Sequence, residues 1–191
     1  LLTANGVPPD VIGAGKAIEF FQVVLDAYWV IDWGPLPLVR NDNTVAFLDW
    51  RYYWERFNDD AVSSKLGEAW GTTVYRMPVN YEGGNFQADG MGTCYTTERG
   101  VQYAGVNATE LAHLYQAYAG CDNLVVVKDI DNDGTGHIDM LFKLVAPNKV
   151  LLGSFTNQQD ATAKADMDFN ATLLASVTPP TGGSMTVLRM P

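Results

Sequence analysis

Long apolar runs are missing from this 191-residue chain. None reaches the roughly 18 residues that a membrane-crossing helix needs, so no such span is expected. Basic residues are scarce as well: 12 Lys and Arg stand against 22 Asp and Glu, a formal charge of −10. That balance argues against nucleic acid or an anionic membrane as partner and mildly favours a cationic ligand. Cysteine is nearly absent. The two present, Cys94 and Cys121, define neither a disulfide framework nor a metal site; they pair or stay free, and both read as buried structural residues. Residues Leu1 to Asn5 carry neither a starting Met nor the basic flank of a signal peptide, so the N-terminus reads as processed or trimmed. The 47% hydrophobic content suits one domain or a large piece of one. Two sequons, at Asn107 and Asn170, are short enough for chance to explain them.

What is there repeats itself. Residues 15–26 place Ile18, Phe21, Val24 and Leu25 at helical spacing. Strands are expected at Tyr28–Trp33 and Thr44–Trp50, then a helix from Asn58 towards Trp70 and a strand at Thr73–Met77. A second round has strands at Asn85–Ala88 and Thr93–Thr97, a helix, and a buried strand at Leu124–Val127. Asn107 and Glu110 form a capping box on that helix, which Gly120 ends. A third round has strands at His137–Leu144 and Lys149–Leu152, a helix within Asp160–Leu174, and a strand at Met185–Arg189. Strand–strand–helix–strand thus occurs three times, about 50–57 residues apart, which points to an α/β propeller. The units are 28–78, 83–128 and 137–190, and 1–27 reads as the tail of an earlier one. Each first strand carries an acidic residue near its end: Asp32, Asp89 and Asp139.

Within Gly134-Thr135-Gly136-His137-Ile138-Asp139-Met140, His137 and Asp139 lie two apart. On a strand both would face one side, an acid/base beside an anchor, or else an ordinary satisfied polar pair. Tyr28-Trp29-Val30-Ile31-Asp32-Trp33-Gly34-Pro35, Glu82-Gly83-Gly84-Asn85-Phe86, Asp89-Gly90-Met91-Gly92-Thr93 and Gly136-His137-Ile138-Asp139 resemble, in order, motifs of the agmatine deiminase and bacterial-type peptidylarginine deiminase family of guanidino-group-modifying enzymes. The resemblance covers about residues 26–190. It implies a pentein fold of five such modules around one axis, about three of them here.

It further implies that Asp32 and Asp139 grip a substrate guanidinium by charge-assisted hydrogen bonds. His137 would protonate the leaving ammonia and then activate water. A cysteine thiolate would attack the carbon through a thiouronium intermediate. Trp29 would wall the site, Asn85 would bind substrate, and Arg56 would hold a carboxylate of a peptidyl-arginine substrate or else pair with Asp59 or Asp60. No cofactor is required. The peptidyl-arginine branch implies an extracellular or periplasmic protein, the agmatine branch a cytoplasmic one.

Two departures stand out. Ile31 occupies a place where the family usually has Arg, and neither cysteine has the nucleophile's context. The nucleophile is therefore expected outside this chain, on complementary polypeptide, and a non-catalytic binding or assembly subunit is the alternative. Asp129, Asp131 and Asp133 match the first positions of a calcium loop, but Met140 replaces its bidentate Glu. Calcium in a less regular loop, or a solvated acidic turn, are the two readings there.

Overall fold

The computed structural model describes residues 2–130 and 134–191. Its strands form three three-stranded sheets of one topology. In the first, β1 (Leu36–Val39) pairs antiparallel with β2 (Val45–Arg51), which runs parallel to β3 (Thr73–Asn80). A parallel neighbour needs a long crossover, and α2 (Phe57–Asp60) and α3 (Val62–Trp70) supply it, after the short α1 (Val30–Trp33) that precedes β1. The second sheet joins β4 (Gln87–Ala88), β5 (Thr93–Thr97) and β6 (Asn123–Val127), crossing over through α4 (Glu98–Ala104) and α5 (Ala108–Ala119). The third joins β7 (Phe142–Ala146), β8 (Lys149–Gly153) and β9 (Thr186–Met190) through α6 (Ala161–Ser176).

Local chemistry sets several boundaries. Asn107 accepts the Glu110 N–H while Glu110 reaches back to the Asn107 N–H, so the expected capping box forms. Gly120 closes α5 in the left-handed conformation, open to it without a Cβ clash. At the first turn of α6 the Asp160 carboxylate accepts the Ala163 N–H. Asn170, fully buried, bonds both the N–H and the C=O of Lys128. This sequon is a structural clasp.

Apolar side chains fuse the sheets. Leu48, Trp50 and Met77 of the first unit, with Tyr81 just after it, pack with Phe86, Leu111 and Tyr115 of the second. Tyr95, Val125 and Val127 on the second sheet pack in turn with Ile138, Phe142, Val150 and Leu152 of the third. Gln87 stitches the same seam in polar fashion, donating to the Phe142 carbonyl and accepting the Leu144 N–H.

Cys94 and Cys121 are buried in the first of these cores and joined as a disulfide across 27 residues. It ties β5 to the end of α5. Reduction is expected to cost about 3–4 kcal/mol by the loop-entropy argument. Urea melts with and without reductant measure this, and an unchanged midpoint would count against it.

Four expectations are corrected. Residues 15–26 form no helix; Phe20, Phe21, Val24 and Leu25 lie exposed. A 12-residue amphipathic segment is marginal unless its apolar face has a surface to cover, and only Val23 here packs on the Trp33–Tyr52–Val62 cluster. Tyr28–Trp33 is not a strand. Its end winds into α1, and Gly34 is extended before Pro35, as the proline ring requires. The chain entering β7 is a single 3-10 turn over Ile138–Met140, with Gly134 and Gly136 at positive φ before it. Asp89 is no counterpart of Asp32 and Asp139, because its carboxylate accepts the Met91 and Thr93 N–H groups within its own turn.

Candidate active site

Three short elements converge where the sheets meet. α1 presents Asp32, the 3-10 turn Gly83–Asn85 follows Glu82, and the turn Ile138–Met140 follows His137. Asp32, Glu82, Asn85 and His137 are all buried. The Asp32 carbonyl receives the Trp50 indole N–H at 3.3 Å, which seats α1 on β2.

His137 lies between two carboxylates. Its Nε2 is 3.1 Å from Glu82 Oε2, and its Nδ1 is 3.6 Å from Asp32 Oδ1. Gly84 makes this close approach sterically possible. A Cβ there would stand 2.8 Å from Asp32 Oδ1 and closer still to His137 Nδ1. Without one, the Gly84 N–H reaches the Asp32 carboxylate. Even so, Asp32 Oδ1 is buried with no hydrogen-bond partner.

The electrostatics follow from this packing. Burial pushes the Asp32 carboxyl up to about 6; the His137 charge opposes the rise, and Glu82 and Asp139 add to it. Burial pulls the His137 imidazole down, but the Glu82 hydrogen bond and the charges of Glu82, Asp32 and Asp139 outweigh it and leave it above its ordinary value. The site therefore favours the imidazolium more than water does, with carboxylates on both sides of the ring. One ligand atom each of Asp32, Glu82 and His137 lies within 4.8 Å of the others. Yet the two ring nitrogens face different carboxylates, so one metal ion at either nitrogen lies away from the far carboxylate.

A family model, the Porphyromonas-type peptidyl-arginine deiminase, matches residues 4–191. The chain belongs to this family. The agmatine deiminase of Ectopseudomonas mendocina is 27% identical over 191 residues, covering 91% of this chain and 52% of that protein. Among solved structures, the agmatine deiminase of Enterococcus faecalis aligns with a TM-score of 0.80 at 22% identity, over 98% of this chain and 54% of its own. That of C. jejuni with substrate bound aligns at 0.75 and 19%, over 92% and 54%. These likenesses place the chain in an α/β deiminase fold. The chain spans about half the length of the relatives it matches.

The sequence-derived residues are distributed unevenly. Asp32 and His137 meet in the buried cluster, while Asp139 is exposed on the 3-10 turn and acts on both through its charge. Asn85 lies under the cluster, with its carboxamide oxygen 2.7 Å from the Thr97 hydroxyl. Trp29 is half exposed and packs on Tyr28, ring centroids 4.5 Å apart. Arg56 donates to the Tyr52 hydroxyl at 2.9 Å and lies over the Tyr53 ring, whose hydroxyl faces Glu82. It is Arg76, not Arg56, that pairs with Asp60. Asp129 lies 3.7 Å from Arg99; Asp131 and Asp133 fall outside the described residues. Glu82 is the member that sequence reasoning missed. It opened a quoted motif, but nothing local showed that it meets a histidine 55 residues away. Among the described residues no helix is long and apolar enough to cross a membrane.

Proposed function

We propose that this chain is the guanidinium-receiving part of a deiminase acting on agmatine or peptidyl-arginine, completed by a thiol from outside these 191 residues. The observation that carries the reading is the clamped His137 beside a buried Asp32 oxygen that accepts no hydrogen bond. Such an orphan acceptor is costly, and a guanidinium N–H satisfies it while balancing its charge. Both cysteines of the chain are bonded to each other, so neither serves as nucleophile here.

In this reading Asp32 and Asp139 orient the guanidinium and leave its carbon open, with Trp29 as an aromatic wall. An incoming cysteine thiolate adds to that carbon. The C–N bond breaks as His137 passes its proton to the departing nitrogen, releasing ammonia and leaving a thiouronium. Neutral His137 then takes a proton from water as its oxygen adds to the same carbon. The C–S bond breaks, the thiolate is restored, the added hydroxyl loses its proton to solvent, and a ureido product leaves: carbamoylputrescine or peptidyl-citrulline. Glu82 holds Nε2 throughout, and Asn85 supports the turn facing the substrate. Arg56 meets a carboxylate only when the substrate carries one. The step as written uses thiol, carboxylates and imidazole, with no cofactor.

The test is ammonia release, matched one-to-one by ureido product, from agmatine and from a peptidyl-arginine with the protein at its natural length. Release from neither would sink the deiminase reading. Ile31, where the family usually has Arg, favours the alternative of a non-catalytic subunit, which predicts agmatine binding by calorimetry without turnover.

Two further proposals concern the surroundings. Phe20, Val24, Leu25, Tyr28, Val30 and Ile31 are large apolar side chains left exposed within twelve residues of chain, and clustered exposure of this kind marks a contact surface. We assign it to contact with complementary polypeptide that completes a five-module pentein propeller, of which 28–78, 83–128 and 137–190 are three modules. An isolated 191-residue chain is expected to self-associate in native mass measurements; a well-behaved monomer would overturn this. The buried disulfide suits an oxidising compartment, extracellular or periplasmic. If Asp129, Asp131 and Asp133 take calcium, millimolar calcium raises the melting temperature by mass action. No shift would leave Asp129 as the partner of Arg99 alone.

A further inference from the structure

Thr97 sits where three parts of the site meet. It ends β5 and caps α4, its hydroxyl oxygen accepting the Gly100 N–H at 3.0 Å. The same hydroxyl lies 2.7 Å from the Asn85 side-chain oxygen and 2.7 Å from the Gly136 carbonyl. It is fully buried. A hydroxyl has one proton, so it donates to only one of two such acceptors. Both contacts of the hydroxyl become hydrogen bonds when the Asn85 carboxamide turns its nitrogen towards Thr97 and the hydroxyl proton goes to Gly136.

Both ends of that network lead to His137. The Gly136 carbonyl belongs to the peptide that enters His137, so its bond to Thr97 sets the plane from which the imidazole departs. Asn85 ends the turn whose Gly84 lies against Nδ1 and whose preceding residue, Glu82, holds Nε2. α4 is pressed onto this turn. A Cβ at Gly100 would stand 2.9 Å from the Tyr81 hydroxyl and 3.2 Å from the Asn85 side chain, and the Tyr81 hydroxyl donates to the Asn85 carbonyl at 3.1 Å. On the other side, Gly136 at positive φ packs under Arg99, the second residue of α4. Among the described residues no backbone ladder joins these two turns, and both are pinned to one hydroxyl.

We propose that Thr97 is a positioning residue for the deiminase reaction, its hydroxyl setting the His137 ring between Glu82 and Asp32 by tying the Gly136–His137 peptide to the Glu82–Asn85 turn. The inference rests on the reading of His137 as the proton-transfer group. Its physical core, the orientation of His137, is measurable without turnover.

The experiment compares Thr97→Val, which keeps the shape and removes the hydroxyl, with Thr97→Ser, which keeps the hydroxyl, in the natural-length protein. The charged groups facing His137 are Glu82, Asp32 and Asp139. If the ring leaves its place between them, its NMR titration moves down in Thr97→Val and stays with the wild type in Thr97→Ser. Turnover of agmatine or peptidyl-arginine falls on the order of 10- to 100-fold in Thr97→Val with KM little changed, the loss a misplaced catalytic group brings, and Ser restores it. A Thr97→Val protein that melts lower but keeps the wild-type His137 titration and kcat makes Thr97 a structural cap only and overturns the proposal. So does a Ser variant that fails to restore both. Should Val prevent folding, Thr97→Ala carries the same comparison. If the wild type turns over no guanidinium compound, the function fails, and the titration still decides the role of Thr97.

Discussion

Replacing His137 by Asn is expected to lower deiminase turnover by about 10²–10⁴-fold, the usual worth of a positioned general acid and base. Asn is polar and fills the site as far as the place of Nδ1, but it stops short of the place where Nε2 stood 3.1 Å from Glu82. It carries no titratable proton. The leaving nitrogen would then depart unprotonated and the hydrolytic water would meet no base. Binding should survive, because Asp32 and Asp139 remain to hold the cation; KM is expected to change by no more than about threefold, since uniform binding is untouched. A variant retaining a tenth or more of wild-type turnover would show that proton transfer runs through another group. Its melting temperature, measured alongside, separates chemistry from folding.

Asp32→Asn is expected to act in opposite directions on stability and on function. The folded protein holds the Asp32 proton more tightly than the unfolded chain, since burial raises its carboxyl from the ordinary 3.8 to about 6. Its contribution is therefore most favourable below pH 4, is lost as pH rises through about 6, and stays lost at neutral pH. Removing the charge should stabilise the free protein by about 1–3 kcal/mol at pH 7–8, the upper figure being a two-unit shift converted directly. Part of that gain is returned because His137 loses one of the charges holding its imidazolium. His137, also raised, contributes stability below its ordinary 6.5 that is lost as pH rises through its folded value. The same substitution should weaken agmatine binding by at least about 100-fold, since a buried charge-assisted pair is lost. Denaturant melts at pH 4.5 and 7.5, with calorimetric titration of agmatine, test both halves. A variant less stable than wild type at pH 7.5, or one that binds agmatine equally well, would remove Asp32 from the site.

These two residues show what tertiary structure added. The resemblance put Asp32 and His137 into one site, and in the structure their nearest side-chain atoms are 3.6 Å apart. Their local conformations were read wrongly. Tyr28–Trp33 is rich in β-branched and aromatic residues, yet its middle is exposed and has no neighbouring strand to pair with. Strand propensity expresses a fit to a pleated, half-buried surface, and without that surface the segment ends in a helical turn. His137 and Asp139, spaced for one face of a strand, come from a 3-10 turn, so one is buried and the other exposed.

Signals complete within a few residues were legible in the amino-acid sequence alone. The Asn107–Glu110 capping box, the Gly120 stop and the helix after Asp160 all formed where expected, because each rests on hydrogen bonds or sterics inside one element. Only the tertiary structure decided what depends on distant partners. It joined Cys94 to Cys121, brought Glu82 onto His137, turned Asn85 inward to Thr97, and left the 15–26 segment with no surface to cover. Burial supplies the reason. The desolvation that raises Asp32, and the paired carboxylates that raise His137, arise where three sheets pack together, and no stretch of the chain carries that environment by itself.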